Sequence, residues 1–90
     1  MTARRDSRVS GSASQVLERF PDHWQEITEL LRTSDAFGSL CEDYADAVTA
    51  LRAWEISAHP KAPVRVTEYR DLVAELEAEI LGQLQVAGAR

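Results

Sequence analysis

Apolar residues between Ser34 and Ser57 recur with the spacing of a long amphipathic helix. Phe37, Leu40, Tyr44, Ala47, Leu51, Trp54 and Ala58 stand alternately three and four apart. That rhythm places them on one side of a helix, as in a coiled-coil or hairpin seam. Cys41 and Val48 widen the stripe. A second run, Val66, Tyr69, Val73, Leu76 and Ile80, has the same spacing and is flanked by Leu72 and Leu84. Between the runs lie Pro60 and Pro63, which cannot continue a helix. The pattern predicts two helices, at about residues 35–57 and 64–85. They are joined by a short connector at 58–63 and therefore antiparallel.

Before this hairpin the chain reads as a shorter helix over about residues 21–33. Pro21 suits the first helical position, and Asp22 suits the positive end of the helix dipole. Trp24, Ile27, Leu30 and Leu31 form the apolar face, and Phe20 is placed to pack back on Trp24 as a hydrophobic staple. Ser34 is the expected N-cap of the next helix, with Asp35 in its first turn. Gly38 reads as a tolerated flaw near a helix end. Residues 14–20 suit a short helical turn carrying Val16, Leu17 and Phe20, and Val86 to Arg90 is expected to fray. No strand-like alternation and no internal repeat occurs.

The fold class expected is therefore all-α: an antiparallel helical hairpin preceded by a shorter helix. Leu30, Leu31, Val48, Leu72, Leu81 and Leu84 add apolar surface beside the seam. Two helices are too narrow to cover that surface, so the pattern predicts a dimeric bundle in which a second chain covers part of it. The interaction residues expected are Trp24, Leu31, Phe37, Tyr44, Leu51, Trp54, Tyr69 and Leu76. Trp54 is assigned to an intersubunit contact or to the first helix in preference to the intrachain core.

Composition sharpens this picture in three ways. Ninety residues allow one domain and a small core, which favours oligomerisation. Residues 1–13 read as a disordered basic tail, leaving residues 14–90 as the single helical domain. Arg4, Arg5 and Arg8 against Asp6 give the tail a net charge of +2, so the rest of the chain carries −7 within the total of −5. An acidic body argues against binding to a nucleic-acid backbone. The single cysteine, Cys41, suits a reducing cytoplasm. The arginines of the tail are followed by no apolar run, so no secretory or twin-arginine signal is completed, and no apolar stretch is long enough to span a membrane.

Candidate chemistry is sparse. His23 and Glu26 are three apart on one helix face, where a metal ion could bridge them. No second histidine joins them on that helix, so the pair reads as a solvated surface pair. Cys41 would need a base and a lowered pKa to act as a nucleophile; Glu42 and Asp43 push it the other way. Asp71, Glu75 and Glu79 form an acidic ridge, and Glu42 and Asp46 are likewise four apart. The inward-facing Glu-x-x-His motifs of bundle metal sites are missing. No catalytic residue, cofactor or metal site is assigned.

The segments Phe20-Pro21-Asp22-His23, Glu26-Ile27, Glu29-Leu30, Ser34-Asp35-Ala36-Phe37 and Leu40 with Glu42-Asp43-Tyr44 resemble the YdcH-like family of small bacterial helical-hairpin proteins of unknown function. The likeness extends in layout from Phe20 to Leu84 and in detail from Phe20 to Tyr44. The family's second long helix carries a basic run where this chain has the acidic stretch Tyr69 to Leu76, which departs from any shared partner. The resemblance implies a fold and no reaction. The function expected is a non-enzymatic association module of the bacterial cytoplasm, self-assembling or an adaptor. One alternative is a regulator whose acidic surface occupies a basic protein surface; another is a metal-binding protein using His23 and Glu26.

Overall fold

Two residues, Pro21 and Ser34, set the breaks that fold the first third of the chain onto the hairpin. A computed structural model describes residues 13–89, and all secondary structure among them is helical. Helix α1 covers residues 13–19. It closes where the Phe20 amide donates to the Val16 carbonyl at 2.9 Å. Phe20 itself leaves the helical region, at φ −127° and ψ 63°, as expected for a residue that precedes a proline. A 3-10 turn at Pro21–His23 then leads into α2, Trp24–Thr33.

Ser34 serves two helices at once. Its amide donates to the Leu30 carbonyl at 2.8 Å and ends α2. Its hydroxyl accepts from the Phe37 amide at 3.1 Å and caps α3, Asp35–Glu55. One extended residue (φ −134°, ψ 110°) thus forms the whole break between the helices, so α2 folds back to touch both α3 and α4. The Cβ position of Gly38 has no neighbour within 4 Å, so no close backbone approach calls for glycine there.

Helix α4 runs from Ala62 to Gly88, longer at both ends than the expected 64–85. Pro63 lies in its first turn, where a missing N–H costs nothing; it starts the helix and does not belong to the connector. At the far end no proline stops the helix after the buried Leu84, and it continues to Gly88 where fraying is expected. The connector shifts to residues 56–61 because α3 ends at Glu55. Within it the Ser57 hydroxyl accepts from the His59 amide at 3.1 Å, and His59 Nδ1 accepts from the Lys61 amide at 3.0 Å. The expected basic tail lies outside the described residues except for Ala13, which is buried and already helical.

Burial is unevenly shared. Val16, Phe20, Ile27, Phe37, Leu40, Cys41, Tyr44, Ile80 and Leu84 form one core drawn from α1, α2, the first half of α3 and the last third of α4, with Phe20 bridging α1 to α2. A fully buried side chain of this kind contributes about 1.5–3 kcal/mol by leaving water. Phe20 belongs to that core while Trp24 stands 57% exposed, so the expected staple between them is not the arrangement that buries Phe20. Towards the connector only α3 and α4 remain. There Leu51, Trp54, Val66 and Tyr69 are half-buried, while Ile56 (89%), Val64 (60%) and Leu72 (39%) are exposed. The shape follows: a thick four-helix end and a thin two-helix tip, with a radius of gyration of 14.3 Å against about 12 Å for a compact domain of this length.

Because Ser34 is the sole side-chain cap at the α2–α3 break, Ser34→Ala is expected to lower stability by about 1 kcal/mol, with Ser34→Asp recovering most of it. Urea unfolding monitored by circular dichroism measures this. An unchanged midpoint for Ser34→Ala would show that the hydroxyl contributes nothing there.

Candidate interaction surface

The residues expected to meet a partner divide according to which end of the hairpin they occupy. At the thick end, Phe37 and Tyr44 are buried in the chain's own core. There α1 and α2 cover this part of the seam, so both side chains are enclosed by the chain's own helices. Leu31 and Leu76 are half-buried and pack against the same core. Trp24 is exposed on the outer side of α2. At the tip, Leu51, Trp54 and Tyr69 are partly buried. The Trp54 ring meets the His59 ring edge-on, with centroids 6.0 Å apart and planes at 84°. Within the chain its surroundings are therefore the connector and α4, so of the two expected contacts, intersubunit or first helix, the second is not formed.

The tip carries an open groove of about 280 Å³ lined by Trp54, Arg65, Glu68, Tyr69 and Leu72. Arg65, Glu68, Tyr69 and Leu72 are spaced at 0, 3, 4 and 7 residues, so they form one stripe along α4, and Trp54 of α3 closes the other side. The Arg65 guanidinium donates to Glu68 Oε1 at 2.8 Å. Arg65, and Glu68 from beside the acidic ridge, are additions to the interaction residues expected from the sequence. Their signal was present, since each falls one helical turn from Tyr69 or Leu72. A second groove, about 420 Å³, lies at the thick end between α2 and α4, lined by Glu29, Leu30, Thr33, Gln83, Val86 and Ala87.

Glu77 is the other residue that the sequence reading passed over. It lies four residues after Val73 and three before Ile80, on the core side of α4 where a carboxylate needs partners. It has two. The Tyr44 hydroxyl donates to its Oε2 at 2.8 Å, and Arg19 Nε donates to the same oxygen at 2.9 Å. One carboxylate oxygen thereby ties α1, α3 and α4 together. The arginine is held in its charged form by that carboxylate, and its guanidinium also lies 5.3 Å from the Phe20 ring centroid, within the reach of a cation–π contact. Burial, then the bond to Glu77, pushes the Tyr44 phenol from 10.0 up to about 12.

The candidate chemical groups occupy structural settings. Cys41 is fully buried, and burial followed by the charge of Glu42 pushes its thiol from 9.0 up to about 12. A thiolate nucleophile needs the opposite environment. His23 Nδ1 lies 3.8 Å from Glu26 Oε1, the contact expected of an i, i+3 surface pair. Among the described residues no group of three or more His, Cys, Asp or Glu side chains is arranged to hold a metal ion. Asp71, Glu75 and Glu79 are exposed along α4, as the acidic ridge requires. No helix among the described residues is long and apolar enough to cross a membrane. Compared with protein-family models, curated proteins and solved structures, the chain matches none.

The two raised acids carry a pH signature. Folded and unfolded chains both hold these protons below about pH 9. Above it the unfolded chain releases the thiol proton and then the phenol proton, while the folded chain retains both to about 12. Stability is therefore lost as pH rises through that window. Cys41→Ala is expected to flatten the fall from its start, and Tyr44→Phe only its upper part. Thermal unfolding from about pH 8 to about pH 11 measures the slopes; slopes identical to those of the unaltered chain in both variants would contradict the assignment.

Proposed function

We propose that this chain is a small non-enzymatic association module of the bacterial cytoplasm, one that completes its apolar burial by pairing with another helical surface. The observation that carries this reading is the half-covered tip. Trp54, Val64, Tyr69 and Leu72 lie where the chain's own first two helices do not reach. Val64 and Leu72 are exposed beside the partly buried Trp54 and Tyr69, and an apolar patch of this kind marks a protein–protein contact. The simplest partner is a second copy, giving a dimeric bundle.

The buried setting of Cys41 supports a non-enzymatic reading, since burial holds its thiol protonated where a nucleophile needs a thiolate. Kinship with the YdcH-like helical-hairpin proteins belongs to the same proposal and rests on the residues from Phe20 to Tyr44. Sedimentation velocity across a micromolar to submillimolar range tests the association. The average mass is expected to rise from 10.0 kDa towards twice that value. A single 10.0 kDa species throughout the range would contradict self-assembly.

A further inference from the structure

We draw no further inference here: the strongest candidate, the open groove at the hairpin tip between Trp54 of α3 and the Arg65–Leu72 stripe of α4, carries nothing because its charged pair is already closed within α4 and nothing in the structure shows what covers it.

Discussion

Everything in this molecule follows from how little helix is available to cover two long amphipathic rods. The hairpin seam runs the length of α3 and α4, but α1 and α2 reach only one end of it. There Phe37, Leu40, Cys41, Tyr44, Ile80 and Leu84 are closed over by Val16, Phe20 and Ile27. The one-residue break at Ser34 dictates which end is covered, because it folds α2 directly back onto the helices that follow. A longer linker would let α2 slide towards the tip; a continuous helix would carry it away from the hairpin altogether.

Within the covered end, a single carboxylate organises the polar contacts. Glu77 joins Tyr44 and Arg19 through one oxygen, so α1 is held by an ion pair and a hydrogen-bond chain as well as by Val16 and Phe20. The exposed Arg19 arm of that chain contributes modestly by itself. The Tyr44 arm matters more, because a buried hydroxyl without a partner is costly. Here polar satisfaction and apolar burial select the same docking of α1.

The long-range plan was legible from the chain because heptad spacing and proline position are strong signals. Phe37 to Trp54 marked α3, Val66 to Ile80 marked α4, and Ser34 marked the break, each with a direct physical reading. Helix ends were less legible. Pro63 is compatible with both a connector and a first helical turn, and only the bond from the Lys61 amide to His59 Nδ1 and the placement of Ala62 decide between them. The distribution of burial was the least legible. Phe37, Tyr44, Trp54 and Tyr69 share one periodicity, and nothing in that periodicity reveals that α1 and α2 cover the first two and leave the last two only partly buried. Glu77 was hidden for a related reason: a charged residue on a core face reads as surface until its partners on other helices are known.

The central claim is that α1 and α2 close the core at the thick end and leave the tip to α3 and α4 alone, with completion of the tip from outside as the proposal built on it. Amide hydrogen exchange read residue by residue, on dilute and concentrated samples, tests it most directly. The account predicts slow exchange near Phe37–Tyr44 and Ile80–Leu84 at both concentrations. It predicts fast exchange around Leu51–Glu55 and Arg65–Leu72 in the dilute sample, slowing several-fold in the concentrated one. Uniform protection along α3 and α4 in the dilute sample, with no change at the tip on concentration, would contradict it.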